Sequence, residues 1–380
     1  MDNKNKNPNV PNLRFNFEDD YTTYQLHQFA SRVTRKNKNN ESLLPLTISA
    51  QYGLVDQISF FNKSVASSDL SNYYLLQNGE FAYNKSYSND YPWGAIKRLD
   101  RYDKGCLSTL YICFKPNESL VDTDYLVHYF ESPKWYKQVS DIAGEGARNH
   151  GLLNIAVRDF FLTKHKFPSL EEQGKVADLL NKIQERIEAQ NKIIEDLVYQ
   201  KNQIRKKIVN KLLIKSEVRL CNLCSIVTGK KDANQMRENG QYKFFTCSKD
   251  DYYIDTYSFE GESLIISGNG EIGLIKFYSG KFDAYQRTYV LQNFLCDPIF
   301  LKSVLEEKLP RVVNKEKNIG AMPYITIGTL NNILIPLPND NAQLKVKEII
   351  QKLELRIKNE SQILIDFEIQ KKYLLNNLFI

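Results

Sequence analysis

Two segments of this chain share one hydrophobic pattern, in which apolar residues recur at alternating steps of four and three. In the first segment these positions are Val176, Leu180, Ile183, Ile187, Ile194, Leu197 and Ile204. In the second segment, shifted by 170 residues, they are Val346, Ile350, Leu353, Ile357, Leu364, Phe367 and Leu374. An apolar period of about 3.5 residues, held over four heptads, is typical of a coiled-coil seam. The pattern therefore predicts two long helices.

Both predicted helices interrupt the seam with polar residues at matching positions. Gln190 corresponds to Glu360, and Lys201 corresponds to Lys371. Polar seam residues fix register in coiled coils, which favours pairing of the two helices with each other. The order of segments then requires an antiparallel pair with one domain at each end, related by an approximate two-fold axis. Core helices of separate bundles, or helices that dimerise between chains, remain the alternative.

Each predicted helix is preceded by a proline and by a residue that can cap it. Ser169 follows Pro168, and Asn339 follows Pro338. Serine and asparagine are common N-cap residues. The helices then open with Leu-Glu-Glu-Gln and Asp-Asn-Ala-Gln, so that only the glutamine is shared. This difference argues against equivalent contacts at the two helix starts.

The regions outside the helices contain a fainter repeat. Val33-Thr34 matches Val227-Thr228, Gly94-Ala95-Ile96-Lys97 matches Gly273-Leu274-Ile275-Lys276, and Thr109-Leu110-Tyr111 matches Thr288-Tyr289-Val290. Short β-branched and aromatic runs separated by Gly, Asn and Asp predict strands and turns. We predict an α+β fold with two mixed, β-rich domains at residues 1–167 and 216–338. The long helices occupy residues 168–215 and 339–380.

Composition limits the class of protein. A chain of 380 residues has room for two domains of ordinary size, and its 42% apolar and 25% charged residues are typical of globular proteins. The Asn-rich N-terminus has no apolar signal core, and no apolar run reaches the roughly 20 residues that cross a bilayer. Six scattered cysteines suit a reducing compartment. We therefore expect a cytoplasmic protein without membrane attachment.

Sequence motifs for catalysis and for metal or nucleotide binding are weak. Gly268–Gly273 fits the glycine spacing of dinucleotide sites, but the residues that follow alternate like strands, which favours a hairpin turn. Cys221 and Cys224 have the spacing of zinc ligands but lack a second close pair, so structural cysteines are the preferred interpretation. We expect no catalytic residues and no metal site.

Three loops combine polar, basic and aromatic residues suited to nucleic-acid contact. The candidate residues are Asn84, Lys85, Ser86 and Tyr87, then Arg148, Asn149 and His150, then Lys230 and Lys231. Arginine, lysine and asparagine can hydrogen-bond purine edges, and serine and tyrosine can hold phosphates. The loop with Lys230 and Lys231 is interpreted as the second domain's counterpart of the loop with Arg148. A net charge of +6 permits a polyanionic partner without requiring one.

The whole chain resembles the specificity subunits of type I restriction-modification enzymes. The segments that carry the resemblance are VPNLRF, PLTISAQYGLVDQ, GEFAYNKSYSNDYPWGAIKRL, GEGARNHGLLNI and PSLEEQGKVADLL. The resemblance implies two target-recognition domains that alternate with two antiparallel helices. It also implies that the chain reads a bipartite, asymmetric target in double-stranded DNA.

The resemblance implies partners and cofactors as well. Two modification subunits, which bind S-adenosylmethionine and methylate adenine, would dock on the chain. Restriction subunits that use ATP and Mg²⁺ would join them, and the chain itself would bind no cofactor directly. Two other hypotheses stay open. One is a non-catalytic protein-binding scaffold with two recognition domains on a coiled coil, and the other is an enzyme that uses the glycine-rich or Cys-x-x-Cys element.

Overall fold

The computed structural model describes residues 10–49, 52–63, 66–67, 69–88, 91–144, 151–212, 217–316 and 324–380. The chain divides into two compact units. Unit 1 comprises Met1–Ala189 and Ile363–Ile380, and unit 2 comprises Gln190–Gln362. Each unit therefore holds one globular part and a portion of both long helices. The compact units divide within the helices, whereas the boundaries drawn from the sequence lie at the helix ends.

Unit 1 is built from short strands and helices that lead into the first long helix. Its strands are β1 (Thr22–Gln25), β2 (Ala30–Val33), β3 (Leu46–Ser49), β4 (Gly53–Asp56), β5 (Tyr74–Gln77), β6 (Phe81–Asn84), β7 (Ala95–Arg98), β8 (Lys104–Leu107), β9 (Ile112–Pro116) and β10 (Lys164–Phe167). Its helices are α1 (Leu26–Phe29), α2 (Gln57–Phe61), α3 (Thr123–Glu131), α4 (Tyr136–Ser140) and α5 (Val157–Phe161). The long helix α6 (Leu170–Leu212) begins in this unit.

The main sheet of unit 1 has the order β2-β9-β6-β7, with antiparallel neighbours. Successive residues of a strand point to opposite faces of a sheet. Phe81 and Tyr83 therefore join the hydrophobic cluster that contains Val176 of α6. Ala82, between them, joins a second cluster with Leu46 of β3. Both faces of the sheet are covered, and α6 is part of the core of the unit.

Unit 2 follows the same plan. Its strands are β11 (Glu217–Arg219), β12 (Ser225–Thr228), β13 (Tyr242–Phe245), β14 (Tyr252–Ile254), β15 (Phe259–Ser267), β16 (Ile275–Ala284), β17 (Thr288–Gln292) and β18 (Leu334–Pro336). Its helices are α7 (Pro298–Glu316) and α8 (Ile327–Asn331), followed by the long helix α9 (Asp340–Asn377). The sheet order is β12-β17-β15-β16-β13-β14. Its first four strands repeat the order of β2-β9-β6-β7.

The two units also enter and leave their sheets in the same way. In unit 1, β1 pairs with β10, and Leu26 N donates a hydrogen bond to Thr163 O over 3.0 Å. In unit 2, β11 pairs with β18, and Leu220 N donates to Ile333 O over 2.9 Å. A long helix follows each closing strand. The predicted α+β class, with two β-rich domains and two long helices, is confirmed.

In unit 1, the start of α6 and the end of α9 pack in antiparallel orientation. Gln184 Oε1 accepts a hydrogen bond from Lys371 Nζ over 2.8 Å. Nearer the start of α6, Val176 and Leu180 share a hydrophobic cluster with Leu378 of α9. The contacts therefore advance along α9 as they go back along α6, as they do in an antiparallel pair.

In unit 2, the later part of α6 and the first part of α9 are also antiparallel. Gln190 Nε2 donates a hydrogen bond to Glu360 Oε2 over 2.7 Å. Eleven residues further along α6, Lys201 Nζ lies 3.5 Å from Glu354 Oε1. The partner on α9 has moved back toward its N-terminus. The matching polar residues at 190 and 360 are thus hydrogen-bonded to each other.

The seam positions of both helices are buried or half-buried. In α6, the buried members are Val176, Leu180, Ile183, Ile187 and Leu197, and the half-buried members are Ile194 and Ile204. In α9, the buried members are Val346 and Ile350, and the half-buried members are Leu353, Ile357, Leu364, Phe367 and Leu374. Among the described residues, no helix combines the length and the apolar character that crossing a membrane requires.

The shared glutamines join the two long helices to their domains by equivalent hydrogen bonds. In unit 1, Gln173 Oε1 accepts from Asp122 N over 2.8 Å, and its Nε2 donates to Pro168 O over 2.9 Å. In unit 2, Gln343 Oε1 accepts from Asp297 N over 2.9 Å, and its Nε2 makes the corresponding bond to the proline before the helix over 3.0 Å. The shared glutamine thus makes equivalent contacts at the two helix starts. The other opening residues do differ, since Glu172 is paired with Arg14 over 2.8 Å in unit 1 and the corresponding residue of unit 2 is Ala342.

Only one of the two predicted caps forms within the described part of the chain. Asn339 Oδ1 accepts a hydrogen bond from Ala342 N over 3.0 Å, as an N-cap side chain does. The hydroxyl of Ser169 is buried and has no hydrogen-bond partner among the described residues. Ser169 occupies the N-cap position of α6, because its backbone oxygen accepts the first helical bond from Gln173 N, but the predicted capping bond of its side chain does not form among the described residues.

Candidate nucleic-acid interface

The loop after β6 lies beside the segment that begins at Gly151. Tyr87 N donates a hydrogen bond to Gly151 O over 3.1 Å, and Leu153 N donates to Lys85 O over 3.0 Å. The structure therefore places the first predicted loop directly next to the residues that follow the second. The predicted contacts Arg148, Asn149 and His150 themselves lie outside the described residues.

The side chains of the loop after β6 are partly presented to solvent. Asn84 and Lys85 are half-buried, whereas Ser86 and Tyr87 are exposed. Asn84 Oδ1 accepts a hydrogen bond from Ser86 N over 3.0 Å, which turns the chain at the end of the strand. The loop closes at Gly94, which has φ +78°, and a Cβ there would lie 2.1 Å from Asn84 O. A glycine is required at this position for both reasons.

A tight turn over Ser108–Tyr111 precedes β9 at the same end of the sheet. Tyr111 N donates to Ser108 O over 3.2 Å, and Leu110 N donates to the Ser108 hydroxyl over 3.4 Å. Leu110 is 63% exposed. Together with Lys85 it lines a cavity of about 200 Å³. This turn extends the polar surface of the loop with an apolar side chain.

In unit 2, the glycine-rich segment is the loop of the β15-β16 hairpin. Gly273 N donates to Ser267 O over 2.9 Å, which closes the hairpin, and β16 follows directly. The hairpin interpretation is confirmed. Ile325 N donates to Gly268 O over 2.9 Å. This bond is the equivalent in unit 2 of the bond from Leu153 to the loop after β6.

A turn over Tyr285–Thr288 precedes β17, as the turn over Ser108–Tyr111 precedes β9. Thr288 N donates to Tyr285 O over 2.8 Å, and the side chains of Gln286 and Arg287 are exposed. Arg287, Asn269 and Tyr324 line a cavity of about 630 Å³ that also borders the hairpin loop. An amide, a guanidinium and a phenol thus converge on one recess at the end of the sheet.

The tyrosine at the floor of this recess is fixed in place. Tyr289 OH donates a hydrogen bond to Ile325 O over 2.6 Å, and burial raises the pKa of this phenol. The phenol is therefore neutral at physiological pH and holds the segment after Tyr324 against the strand. Rigid support of this kind keeps the exposed side chains at the rim in defined positions.

Lys230 and Lys231 follow β12 and differ in their surroundings. Lys230 is exposed, whereas Lys231 Nζ lies 3.8 Å from the buried carboxylate of Asp283. Because β12 is the equivalent of β2, Lys230 corresponds to Lys36 in unit 1. The expectation that this loop is the counterpart of the loop with Arg148 is therefore wrong. In unit 2, the segment that returns to the hairpin loop is the one with Ile325, whose N–H donates to Gly268 O.

The cysteines of the Cys-x-x-Cys segment have unequal environments. Cys224 is buried, its Sγ lies 3.6 Å from Leu220 O, and burial raises the pKa of the thiol to about 12. Cys221 is exposed, unlike the pair of buried structural cysteines expected from the sequence. Within the described ranges, no cluster of three or more His, Cys, Asp or Glu side chains is placed to hold a metal ion.

A buried ion network in unit 1 supports the helices. Glu131 Oε2 accepts a hydrogen bond from Lys371 Nζ over 2.8 Å, and Lys97 Nζ lies 3.4 Å from Glu131 Oε1. Burial alone would raise the pKa of the Glu131 carboxyl. The neighbouring His128 and the two ammonium groups outweigh burial and hold that pKa well below its usual range. The network joins α3 to α9 within unit 1.

Comparison with known protein families identifies the second half of the chain. Residues 215–368 match the family described as Type I restriction modification DNA specificity domain. This part of the chain is therefore similar to the DNA specificity domains of type I restriction-modification systems. The matched residues contain the β15-β16 hairpin loop, the turn with Arg287 and the first part of α9.

A curated relative of the chain points in the same direction. The chain is 34% identical over 142 residues to the specificity subunit of the type I restriction enzyme EcoDI from Escherichia coli. The alignment covers 37% of this chain and 32% of that protein. The chain thus spans about a third of the length of this relative.

Solved structures show the same fold over nearly the whole chain. The type I restriction-modification S subunit from M. genitalium matches with a TM-score of 0.59 and 16% identity, over 98% of this chain and 99% of its own. A second structure, from work on complex assembly and conformational transition of the type I R-M system, matches with a TM-score of 0.58 and 16% identity. The match covers 94% of this chain and 97% of that chain. At this identity the likeness establishes the fold.

Several residues of the recess in unit 2 were not found from the sequence. Arg287, Gln286, Asn269 and Tyr324 line or border the recess of unit 2. Their signal in the sequence is indirect, since Gly-Asn-Gly and Tyr-Gln-Arg each lie between strand-like runs. A residue in a turn between two neighbouring strands is a candidate for ligand contact where the rest of the loop is polar.

Proposed function

We propose that this chain is the sequence-specific DNA-recognition subunit of a type I restriction-modification complex. The match of residues 215–368 to the DNA specificity domain family carries the proposal. The repeated strand order supports its extension to the first half of the chain. Each unit would then bind one part of the DNA target through the loops at the end of its sheet.

The target would be bipartite and asymmetric. The strands of duplex DNA are related by local two-fold symmetry, so two similar domains can approach two half-sites about one helical turn apart. The loops of the units differ in sequence, and so the half-sites would differ. The long helices would act as a spacer that leaves the base pairs between the half-sites unread. The uninterrupted course of α6 and α9 supports this role.

The chain would supply recognition and no catalysis. We expect it to bind no cofactor directly and to act in the cytoplasm on double-stranded DNA. Two modification subunits would bind S-adenosylmethionine and methylate adenine, which requires the base to leave the helix. Restriction subunits would contribute the steps that use ATP and Mg²⁺. The modest net charge of +6 agrees with partners that neutralise many of the DNA phosphates.

Exposed apolar residues on α9 support docking of partner subunits. Ile365, Ile369 and Tyr373 are 46%, 61% and 57% exposed. Residues four apart share one face of a helix, so these side chains form a single row in unit 1. A contiguous apolar row on a surface is typical of a protein interface. The modification subunits are the partners that we propose for this row.

A domain exchange tests the proposed function. Residues 1–167 would be replaced by a recognition domain of known, different specificity, and the chimera would be produced with the modification subunits. Sequencing of methylated adenines should show one half of the target changed and the other half retained. The unaltered chain with the same subunits is the control. A change in both halves, or in neither, would contradict the modular reading of DNA.

The exposed row on α9 also fits a protein-binding scaffold that never contacts DNA. The two functions differ in their response to salt. A DNA-recognition subunit assembled with its partners should lose affinity for a duplex steeply as salt rises, because counterions are released on binding. A scaffold would show no salt-dependent affinity for DNA under the same conditions.

A further inference from the structure

The turns that precede β9 and β17 occupy equivalent places in the two units. The unit 2 turn closes with the bond from Thr288 N to Tyr285 O, and the unit 1 turn closes with the bond from Tyr111 N to Ser108 O. Each turn leads directly into the strand that lies next to the hairpin strand, β17 beside β15 and β9 beside β6. The third residue is Arg287 in one turn and Leu110 in the other.

Both turns contact the same part of the neighbouring loop. Arg287 O accepts a hydrogen bond from Gly268 N over 3.0 Å, and Leu110 lines one cavity with Lys85. Gly268 and Lys85 are themselves equivalent, because each accepts the backbone bond from the segment that returns to the sheet. Arg287 and Leu110 are therefore counterparts in space as well as in order.

The turn in unit 2 is held by close backbone contacts. A Cβ on Gly268 would lie 2.5 Å from Arg287 O, and a Cβ on Gly229 would lie 2.4 Å from Tyr285 O. Such contacts are accessible only to glycine. Cys247 Sγ also donates to Arg287 O over 3.2 Å. The turn is thus preorganised, and little ordering cost would fall on its side chains when a ligand binds.

Arg287 differs from the basic residues around it. The ammonium groups of Lys231, Lys249 and Lys276 lie 3.8, 3.4 and 3.3 Å from acidic side chains. Arg287 is exposed, and among the described residues its guanidinium has neither a hydrogen bond nor an ion pair. A rigidly mounted guanidinium at the rim of a recess is a donor available to an external acceptor.

We infer that this turn position reads a base in each half-site, with Arg287 selecting guanine and Leu110 selecting thymine. The inference rests on the proposed function and names two residues that determine its specificity. Arginine donates two hydrogen bonds to O6 and N7 of guanine in the major groove. An apolar side chain instead contacts the C5 methyl group of thymine, which only that base presents there.

The pairing of an arginine with a leucine favours base edges over phosphates. If this turn position contacted a phosphate in both units, both side chains would need a hydrogen-bond donor, and a leucine side chain has none. In the major groove, the thymine methyl group is the part of a base with which an aliphatic side chain makes a favourable apolar contact. Arginine in one unit and leucine in the other are therefore suited to contact different bases in the major groove of the two half-sites.

Selection from a library of random duplexes tests the inference with the full chain assembled with its modification subunits. Arg287→Ala should weaken the preference for guanine at one position on the order of 10- to 100-fold, since a bidentate contact discriminates to that extent. The other half of the target should not change. Leu110→Ala should weaken a thymine preference in that other half and leave the first half intact. Each variant thus serves as the control for the other.

Lys249→Ala provides a cation control at the same end of unit 2, because the Lys249 ammonium group is exposed and lies beside Glu271 of the hairpin loop. It should lower affinity for every sequence alike and leave the base preferences unchanged. If Arg287→Ala behaves in this way, Arg287 contacts a phosphate and the inference is wrong. It is also wrong if both base preferences persist in the two alanine variants. An unaltered complex without any sequence preference would overturn the proposed function itself.

Discussion

Gln190 of α6 donates a hydrogen bond to the carboxylate of Glu360 of α9 over 2.7 Å, and a second bond to its backbone oxygen over 3.0 Å. These residues are the matching polar interruptions of two apolar seams. Gln190 is 7% exposed, so its amide needs a partner within the protein. The pair thus fixes which turn of α9 lies opposite Gln190 in unit 2, as polar seam residues do in coiled coils.

Replacement of this pair should be non-additive. Gln190→Leu leaves the Glu360 carboxylate without its amide donor and should lower the free energy of unfolding by about 1–3 kcal/mol. In the double variant with Glu360→Leu both polar groups leave the seam, so the loss should be smaller than the sum of the single losses. Denaturant unfolding of the four proteins measures the coupling. Lys192→Leu, at an exposed position, is the control, and additive losses would contradict the role of the pair.

The glutamines that begin the long helices should each stabilise their own unit. Gln173 and Gln343 are buried, and each satisfies the N–H that precedes a domain helix. Gln173→Leu or Gln343→Leu should cost about 1–3 kcal/mol because a buried backbone N–H loses its acceptor. Hydrogen exchange should speed up at Asp122 in the first variant and at Asp297 in the second.

The control for the glutamine variants is Gln351→Leu, at an exposed position on α9. It should leave both amides protected. If Gln173→Leu speeded up hydrogen exchange at Asp122 and at Asp297 alike, the two glutamines would not act independently, which would contradict the prediction. Absence of any effect would mean that water replaces the side chain at the helix start.

Lys371 should stabilise unit 1 in a pH-dependent manner. Burial tends to raise the pKa of Glu131 in the folded protein, but His128, Lys371 and Lys97 outweigh burial and lower that pKa. A lowered carboxyl pKa stabilises the fold above the unfolded value of about 4.3, and this contribution is lost as pH falls from there through the folded pKa. Lys371→Met should therefore destabilise by about 1–3 kcal/mol at pH 7 and by progressively less below pH ~4.

Lys372→Met is the matched control for this prediction, since Lys372 is the next residue and is exposed. It should have little effect at any pH, because exposed charges contribute little to stability. Chemical denaturation of the three proteins from pH 3 to pH 8 gives the comparison. A loss in Lys371→Met that does not vary with pH would show that the lysine acts through packing alone.

Periodicity predicted the helices well because one physical requirement determines the pattern. A helix that faces a partner needs an apolar residue at every third or fourth position. The hairpin turn at the glycine-rich segment of unit 2 was also predicted correctly, and its last glycine, Gly273, has φ +76°. Register inside the sheets was less accessible. Thr109-Leu110-Tyr111 was aligned with Thr288-Tyr289-Val290, whereas the pairing of the strands makes Leu110 equivalent to Arg287.

The error in register has a structural cause. Unit 1 inserts β8 between β7 and β9, so the residues before β9 have no fixed sequence distance from the hairpin. Only strand pairing restores the equivalence, and strand pairing depends on long-range hydrogen bonds that local sequence does not report. The role of Gln173 was missed for a related reason. Its partner Asp122 lies 51 residues away in the chain.

The spacing of the two half-sites should follow the length of the helices. Insertion of one heptad after residue 190 in α6 and one after residue 360 in α9 keeps the apolar seams in phase, because the hydrophobic pattern repeats every seven residues. Seven helical residues add about 10 Å, which corresponds to about three base pairs of duplex DNA. Mapping of methylated adenines should then show both half-sites unchanged and the unread spacer longer by about three base pairs. Insertion into α6 alone should instead disturb the pairing and reduce assembly with the modification subunits. If a complex with the double-insertion variant methylated the original target with its original spacer, the long helices would not set the distance between the half-sites. Base recognition by each unit would be unaffected by that result.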